Sequence, residues 1–367
     1  MGISSIHIQN FKSIRNSGKI ELRPMNVLIG PNGAGKSNFI GFFKFLNRLY
    51  EQQLHLYVNR NGRADSFLYF GQKRSDFLAG SVTFDNKYEN QYHFKLIPDQ
   101  SSSLIFEFEW YSAKDSETFT DTIGSRESSM KTVDIGLTAP SMREYFQSFN
   151  VFHFHDTSFN AKVKQPSHTT DYAYLHEDAG NLAAFLYRLQ EKETSSFRMI
   201  LSVVRSIAPF FDEFYLQPDE INPQQIFLRW REKGSEQLFN AHNFSDGTLR
   251  MICLAALLLQ PNPPATIIID EPELGLHPFA IAKLAGMLKS ASQKVQVIIS
   301  TQSITLLDHF EADNIIVTER EKAPDGMTQT VFKRQSSESL AEWLEEYTLG
   351  QLWDKNVIGG RPSNVLI

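Results

Sequence analysis

The stretch that decides the fold is MNVLIGPNGAGKSN, residues 25–38. Its residues Gly30 to Ser37 match G-x-x-x-x-G-K-[ST], after an apolar run typical of a buried strand and before apolar side chains at helical spacing. Glycines let the backbone of such a turn approach a ligand closely, so that its N–H groups and the helix N-terminus bind phosphate. In this pattern Lys36 reaches the β- and γ-phosphates of a nucleotide and Ser37 binds Mg²⁺. The stretch therefore predicts a phosphate-binding loop.

A second stretch, ATIIIDEP at residues 265–272, is an apolar strand that ends in two adjacent acids. A carboxylate at the end of a buried strand can hold Mg²⁺, and its neighbour can accept a proton from an attacking water. We therefore assign Asp270 to the metal and Glu271 to general-base catalysis. Two acids after a strand usually form a solvated turn, and the phosphate loop is what favours the catalytic interpretation.

Two further segments carry polar groups at the ends of predicted elements. Ser245 to Gly247 begin an apolar helix over 247–260, where they either cap the helix or bind an anion at its N-terminus. The buried strand 295–300 ends at a polar cluster that contains Gln302. The amide of Gln302 either contacts a γ-phosphate or caps the next helix.

The composition is that of an ordinary globular protein, with 41% hydrophobic and 21% charged residues and a net charge of -6 over 367 residues. This balance excludes a uniformly basic surface, although a local basic groove is compatible with it. The apolar run 251–259 is far shorter than the ~20 residues that span a bilayer. The N-terminus lacks the apolar core of a signal peptide, and the single Cys253 can form no internal disulfide. We therefore predict a cytoplasmic protein without a membrane anchor.

The hydrophobic pattern predicts an α/β fold whose first and last thirds build one sheet around an insert. A helix is expected over 38–58, antiparallel hairpins over 65–124, and a mobile surface loop in the polar residues 112–132. Helices are expected over 172–209 and short strands over 211–240. From 247 onward helix and strand alternate, as in a buried parallel sheet, over residues 247–260, 265–269, 278–291, 295–300 and 313–318.

The order of the motifs resembles the ABC-type ATPase heads of the RecF, SMC and OLD-like group. Residues 151–157 and 347–353 further resemble the small bacterial AAA family of the AAA_21 type. The group's motifs correspond to residues 25–38 for Walker A, 245–247 for the signature, 267–273 for Walker B, 274–278 for the D-loop, and 300–303 for the H-loop, with Lys12 in the N-terminal turn over 10–14.

The resemblance implies a P-loop NTPase fold with a mixed β-sheet, inserted antiparallel hairpins and a helical signature lobe. The corresponding segments are a nucleotide-binding lobe over 1–165, a helical or insert lobe over 166–243, and a return to the nucleotide-binding lobe over 244–367. ATP and Mg²⁺ are the implied cofactors. The implied site residues are Asn32, Gly33, Ala34, Gly35, Lys36, Ser37, Asn38, Lys12, Ser245 and Gly247 for nucleotide, Ser37 and Asp270 for metal, and Glu271, Lys36 and Gln302 for catalysis.

Two departures from the group's pattern affect the chemistry. The H-loop usually carries histidine, whereas Gln302 can hydrogen-bond a phosphate but cannot accept a proton as imidazole does, which predicts slow turnover. The residue of the Q-loop is not evident. His155 or Asp156 is the better candidate by its position after a strand, and Gln72 is the weaker one.

The resemblance also implies a homodimer in which ATP lies between the Walker A motif of one head and the signature motif of the other. We predict an ATP-driven switch in DNA repair or anti-phage defence, acting with a separately encoded effector such as a nuclease. The alternative is an ATPase that binds DNA or RNA directly, for which Arg229 to Arg231 and Lys233 offer a basic and aromatic strand end. Solvated arginines flanking a core Trp230 are the favoured explanation of that segment. A transporter subunit is the least favoured reading.

Overall fold

The computed structural model describes residues 2–113, 116–119, 122–132, 139–323 and 325–360. The chain forms two compact units. Unit 1 comprises Met1–Val151, Ala265–Ile268 and Val295–Ile367, and unit 2 comprises Phe152–Pro264 and Ile269–Lys294. The three lobe segments expected from the sequence, with bounds that differ from those of the two units, remain a prediction. None of the helices in the described ranges is both long and apolar enough to cross a membrane.

The strands of the described residues are short, and their bounds in chain order are β1 Ile3–Phe11, β2 Ile14–Glu21, β3 Met25–Ile29, β4 Leu78–Phe84, β5 Gln91–Pro98, β6 Leu104–Ala113, β7 Ser116–Phe119, β8 Val151–Phe152, β9 Ser167–His168, β10 Phe211–Tyr215, β11 Gln225–Ile226, β12 Arg229–Glu232, β13 Leu238–Asn240, β14 Thr266–Asp270, β15 Gln296–Ser300, β16 Ile315–Lys322 and β17 Thr328–Arg334.

The α-helices of the same residues are α1 Lys36–Tyr50, α2 Leu54–Arg60, α3 Ala139–Ser148, α4 Leu182–Lys192, α5 Thr194–Ile207, α6 Asp246–Leu258, α7 Pro278–Ser292, α8 Ile304–Leu307, α9 Ala341–Leu344 and α10 Leu349–Asp354.

An antiparallel sheet in unit 1 has the strand order β2-β1-β4-β5-β6-β7. Its strands alternate buried and half-buried residues, as expected when one face covers a core. That core is filled by phenylalanines of α1, among them Phe42, whose ring centroid lies 6.3 Å from that of Phe94 on β5. A Cβ at Gly80 would lie 2.7 Å from Phe42, so glycine is needed where the helix meets the sheet. The helix that follows the phosphate loop is therefore firmly anchored.

The second large sheet has the order β17-β16-β3-β15-β14-β8. Strand β3 pairs in parallel with β15 and with β16, and every residue of β3 and β15 is buried. The predicted buried parallel strands are thus confirmed. Because the strands are parallel, the carboxyl ends of β3 and β15 lie at one edge, where the phosphate loop and the segment after Ser300 begin.

Two sequence expectations about unit 1 were wrong. The helix predicted over 38–58 is two helices, because Gln52 adopts a left-handed conformation (φ 55) and the N–H of Gln53 bonds to the carbonyl of Arg48. This is the Schellman geometry that ends a helix. The polar stretch 112–132 is also not a surface loop throughout: β6 and β7 enter it, and within its described part Met130 is fully buried.

A buried carboxylate binds two of the described serines in that polar stretch. Glu109 on β6 accepts hydrogen bonds from the hydroxyl of Tyr92 (2.8 Å), from the hydroxyl of Ser128, and from the N–H and hydroxyl of Ser129 (3.0 and 2.8 Å). Glu127 in turn accepts the N–H of Leu54 at the start of α2 (2.9 Å). The hydroxyl-rich sequence, which was predicted to be a surface loop, therefore supplies hydrogen-bond partners for the buried Glu109.

Unit 2 is built around α6, which packs against α5 and α7. Helix α6 is apolar on nearly all sides, and Cys253 within it is buried. Beside the helices lies a small sheet of order β10-β12-β13. Trp230 of β12 is 1% exposed and stacks on Phe244, with ring centroids 4.5 Å apart. The aromatic residue of the predicted basic strand end therefore belongs to a core.

Candidate functional site

The phosphate loop, residues 30–37, joins β3 to α1 in a conformation that requires glycine at two positions. Gly30 has φ 150 and Gly35 has φ 115, values that side chains rarely permit. A Cβ at Gly30 would collide with the carbonyl oxygen of Thr318, and one at Gly35 would collide with the hydroxyl of Thr330. The glycines predicted from the motif are therefore needed because β16 and β17 press against the loop.

The loop presents donors that the protein itself leaves available. Within the described residues, the N–H groups of Gly33, Gly35 and Ser37 donate no hydrogen bond, as is usual at a helix start. Ser37 and Gly33 are exposed, whereas Lys36 is 5% exposed and its Nζ donates to the carbonyl oxygens of Gly30 (2.6 Å) and Pro31 (3.2 Å). This donor set fits a polyphosphate, and the exposed hydroxyl of Ser37 is a suitable oxygen ligand for Mg²⁺.

A chain of side-chain hydrogen bonds supports the far end of the loop. The amide of Asn38 donates to the Ser13 hydroxyl (2.6 Å), which pairs with the Thr330 hydroxyl (2.7 Å), which donates to the Ala34 carbonyl (2.8 Å). Asn38, expected to bind nucleotide, is thus turned toward Ser13 in this structure. Sequence reasoning missed Ser13 and Thr330, since Thr330 lies almost 300 residues from the loop and carries no motif.

Lys12 lies in the turn between β1 and β2, where the resemblance places a nucleotide-contacting basic residue. Its N–H bonds to the carbonyl of Phe67 (2.7 Å), and its ammonium lies 5.5 Å and 5.8 Å from the ring centroids of Phe11 and Phe67. Burial lowers the pKa of Lys12. The Nζ atom also lies 4.0 Å from where a Cβ would stand on Gly41 of α1. Lys12 is therefore a cation held beside the helix of the phosphate loop.

The segment after β15 is tied to the strand that leads into the phosphate loop. The N–H of Thr301 bonds to the carbonyl of Leu28 (2.9 Å), and the Thr301 hydroxyl accepts the N–H of Ser303 (2.9 Å). Ser303 caps α8, which leaves Gln302 exposed between two fixed residues. Ser303, and not Gln302, is thus the cap of the next helix. Gln302 shares unit 1 with the phosphate loop and Lys12.

The acid pair follows β14 and belongs to unit 2. Asp270 is the last residue of the strand and Glu271 has φ 47, a left-handed conformation that is uncommon for a glutamate. The Glu271 carbonyl oxygen lies 3.2 Å from Nε2 of His155 and accepts the N–H of Leu274. Such backbone conformations are held only where the surroundings determine them, and they recur at functional sites.

The signature segment forms the N-terminus of α6. The hydroxyl of Ser245 accepts the N–H of Thr248 (3.2 Å), so Ser245 is the helix cap, and its side chain remains exposed. A Cβ at Gly247 would lie 2.8 Å from the carbonyl oxygen of Gly275, so a glycine lets the helix start approach the D-loop. Ser245, Gly247, Asp270 and Glu271 all lie in unit 2.

Arg250 links three of these segments, although it belongs to none of the predicted site residues. Its Nη1 donates to the carbonyl of Leu274 (2.8 Å) in the D-loop, and its Nη2 donates to the carbonyl of His155 (2.9 Å). His155 in turn contacts the backbone of Glu271. One arginine of the signature helix therefore fixes the D-loop and the residue beside the acid pair.

The candidates for the Q-loop fall in different units. His155 contacts Glu271 as described, and Asp156 is exposed and accepts the N–H of Ser158 (3.0 Å). Gln72 lies in unit 1, where its N–H bonds to the carboxylate of Asp65 (2.8 Å). Of the three, His155 is the one that touches a predicted catalytic segment.

The basic residues at the end of β12 form ion pairs and hydrogen bonds within the protein. Arg229 pairs with Asp219 (2.8 Å), Arg231 pairs with Glu213 (3.4 Å), and Lys233 donates to the carbonyl of Pro209 (2.7 Å). With Trp230 in the core, the simpler interpretation of this segment agrees with the structure.

Comparison with known proteins identifies a family. The model of AAA_21, described as "AAA domain, putative AbiEii toxin, Type IV TA system", matches residues 25–308, more than half of the chain. The phosphate import ATP-binding protein PstB of Mycoplasmoides gallisepticum is 21% identical over 280 residues, which cover 72% of this chain and 82% of PstB. The chromosome partition protein Smc of Methanococcus voltae is 35% identical over 89 residues, which are 23% of this chain and 7% of Smc.

Solved structures show the same fold. An SmcHead bound to the C-winged helix domain of ScpA matches with a TM-score of 0.61 and 17% identity, over 93% of this chain and 100% of that chain. An Smc head domain with an extended coiled coil from Pyrococcus furiosus, bound to the C-terminal domain of ScpA, matches with a TM-score of 0.58 and 16% identity, over 94% and 99%. The predicted P-loop fold of the ABC-type ATPase heads is confirmed.

Proposed function

The chain belongs to the AAA_21 family of AAA domains, and from this premise we propose that it binds and hydrolyses ATP with Mg²⁺. The observation that carries the proposal is the phosphate loop, whose available N–H groups at Gly33, Gly35 and Ser37 and whose Lys36 match the demands of a triphosphate. The ammonium of Lys36 donates to the loop's own carbonyls at Gly30 and Pro31, which holds it within the loop that would bind the phosphates.

We assign the remaining roles from motif and chemistry. Ser37 and Asp270 hold Mg²⁺, which neutralises phosphate charge. Glu271 takes a proton from the attacking water, and exposed Gln302 contacts the γ-phosphate. Lys12 binds the nucleotide beside α1. Asn32, Gly33, Ala34, Gly35 and Asn38 belong to the loop that binds it.

Hydrolysis is tested with Glu271→Gln, which keeps size and hydrogen bonding but cannot act as a base. We expect at least a hundredfold loss of ATP turnover, within the range for removing a general base. Binding of Mg-ATP is expected to persist, because the phosphate loop is unchanged. Turnover at the parent rate would overturn the assignment of Glu271.

We further propose that ATP joins two copies of the chain. The support is the exposed start of α6: Ser245 and the neighbouring helix N-terminus form a donor site for an anion, and the resemblance assigns this site to the nucleotide of a second head. Light scattering of Glu271→Gln with Mg-ATP is expected to give twice the 42.0 kDa of the chain. Adding Ser245→Arg is expected to keep the mass at one chain while nucleotide still binds. An unchanged mass in Glu271→Gln rejects the dimer.

For the biological role we propose a cytoplasmic ATP-dependent switch that acts with a separate, nuclease-like effector in DNA repair or anti-phage defence. The family description, which names a toxin system, and the Smc heads bound to ScpA support action through a partner protein. Purification of Glu271→Gln with Mg-ATP from the native host, with Lys36→Ala as the control, is expected to enrich one partner only in the ATP-bound protein.

The alternatives lead to different results. Direct nucleic-acid binding predicts that DNA or RNA stimulates hydrolysis, but the strand end that suggested it is internally paired at Arg229 and Arg231. A transporter subunit, which the likeness to PstB favours, predicts co-purification with a membrane permease.

A further inference from the structure

The last described residues of the chain lie against the first residue of the phosphate loop. A Cβ placed on Gly360 would lie 3.5 Å from the Cα of Gly30 and 2.9 Å from the Val317 side chain on β16. A Cβ on Gly30 itself would collide with the carbonyl of Thr318 on β16. Gly30 is thus enclosed between β16 and a segment that we call the C-terminal strap, Ile358–Gly360.

Both polar groups of the Gly360 backbone are bound by side chains. Its N–H donates to Oε1 of Glu319 (2.7 Å), and its carbonyl accepts the indole N–H of Trp353 (3.2 Å). Gly359 and Gly360 have φ 80 and φ 78, and a Cβ on Gly359 would lie 2.8 Å from Glu319. The two glycines therefore allow a close approach that other residues would prevent.

Gly30, the enclosed residue, is also the residue to which Lys36 binds. The carbonyl of Gly30 accepts the ammonium of Lys36 at 2.6 Å, so the position of Gly30 determines where the lysine and the following N–H groups lie. We propose that the C-terminal strap, anchored by Glu319 and Trp353, positions the phosphate loop for binding the β- and γ-phosphates. This inference rests on the proposed nucleotide binding and adds positioning residues to it.

Glu319 offers matched variants, because its two oxygens have different partners. Oε1 holds the strap, whereas Oε2 pairs with Lys333 (3.2 Å), which also pairs with Glu321 (2.5 Å). Glu319→Ala releases the strap. Glu319→Gln keeps an acceptor for the N–H of Gly360, and Lys333→Ala removes the ion pair while leaving the strap bound.

The first measurement is amide hydrogen exchange of residues 30–37 in the nucleotide-free, full-length protein. In Glu319→Ala we expect this peptide to exchange about tenfold faster, the scale of one lost hydrogen bond to a charged group. Glu319→Gln and Lys333→Ala are expected to exchange as the parent does. The β5–β6 hairpin serves as the internal reference. Parental exchange in Glu319→Ala, or an equal rise in the hairpin, overturns the proposal.

The second measurement separates positioning from general stability. Calorimetric titration with Mg-ADP and with AMP is expected to show about tenfold weaker binding of Mg-ADP in Glu319→Ala and no change for AMP, which lacks the phosphates that the loop holds. Trp353→Phe, which keeps an aromatic ring but removes the indole N–H, is expected to act in the same direction. A parallel loss of ADP and AMP affinity contradicts positioning. If the parent protein binds neither nucleotide, the proposed function fails, and the exchange experiment alone still decides the role of the strap.

Discussion

Arg250 provides the sharpest test of how the signature helix and the D-loop are joined. Its guanidinium donates to the carbonyls of Leu274 and His155, at 2.8 and 2.9 Å, from within α6. Replacing it with methionine keeps the aliphatic length and helix propensity but removes both hydrogen bonds. Lysine serves as the graded variant, because a single ammonium can reach one carbonyl but does not have the fork that spans two.

The expected change in the local free energy of opening follows from the loss of these two hydrogen bonds. Hydrogen bonds from a charged donor contribute about 1.5–3 kcal/mol each, and the bond to Leu274 is solvent-exposed and falls at or below the lower end. We expect a loss of about 2–4 kcal/mol in the local free energy of opening for Arg250→Met, and about half of that for Arg250→Lys. Since 1.4 kcal/mol is a factor of ten, the D-loop amides should exchange about 30- to 1000-fold faster in the methionine variant.

Amide exchange over residues 272–278 measures this directly. Exchange is expected to be slowest in the parent protein, faster in Arg250→Lys and fastest in Arg250→Met. The exchange rate of β5 in unit 1 should be the same in all three proteins and serves as the reference. ATP turnover should fall in the same order, because the proposed dimer uses both the signature and the D-loop, whereas Mg-ADP binding to the single chain should stay at the parent value. Parental exchange of residues 272–278 in Arg250→Met would refute the role given to Arg250.

Three further outcomes are expected. Gly35→Ala should weaken Mg-ADP binding at least a hundredfold, because a strained φ adds to a clash with Thr330. Gly33→Ala is strained but has open space around its Cβ, so its affinity for Mg-ADP should fall only about tenfold. Equal losses of affinity in the two variants would contradict this. Burial, together with a nearby histidine, lowers the pKa of His93 to about 4 in the folded protein. On acidification the unfolded chain therefore takes up this proton first, and the melting temperature should decrease as the pH is lowered from about 6.5 to about 4. The same pH dependence in His93→Asn would contradict this. Burial raises the pKa of the Cys253 thiol, so a disulfide reagent should modify it only after unfolding, and rapid labelling of the native protein would oppose this.

Local patterns predicted the parts of the site that are contiguous in sequence. The phosphate loop, the buried strands β3 and β15, and the Ser245 cap each depend on a few neighbouring residues whose spacing carries the signal. Hydrophobic periodicity placed helix and strand but not their ends. It missed the break at Gln52, which depends on a backbone conformation that glutamine rarely adopts.

Composition misled where polar side chains bind one another. The hydroxyl-rich residues 112–132 were predicted to form a surface loop, yet Ser128 and Ser129 donate hydrogen bonds to the buried Glu109. Arg229 and Arg231 lie at a basic strand end whose alternative use was nucleic-acid binding, yet Asp219 and Glu213, which lie 10 and 18 residues earlier in the chain, pair with them. In both cases the partner is supplied by the fold, so the sequence of the segment alone does not indicate whether its charge or polarity faces water.

Two of the residues missed at the site, Arg250 and Thr330, share one physical feature: their side chains donate hydrogen bonds to main-chain carbonyls. Arg250 binds the carbonyls of Leu274 and His155, and Thr330 binds that of Ala34. Every residue type has a carbonyl, so the acceptor leaves no trace in the sequence, and the donor has no partner residue with which to form a recognisable motif. Substituting an acceptor residue should therefore matter little, while substituting its donor should loosen the loop. The reactive and binding residues of this site can be recognised from sequence motifs. The hydrogen-bond donors that hold these residues in place can be identified only from the fold.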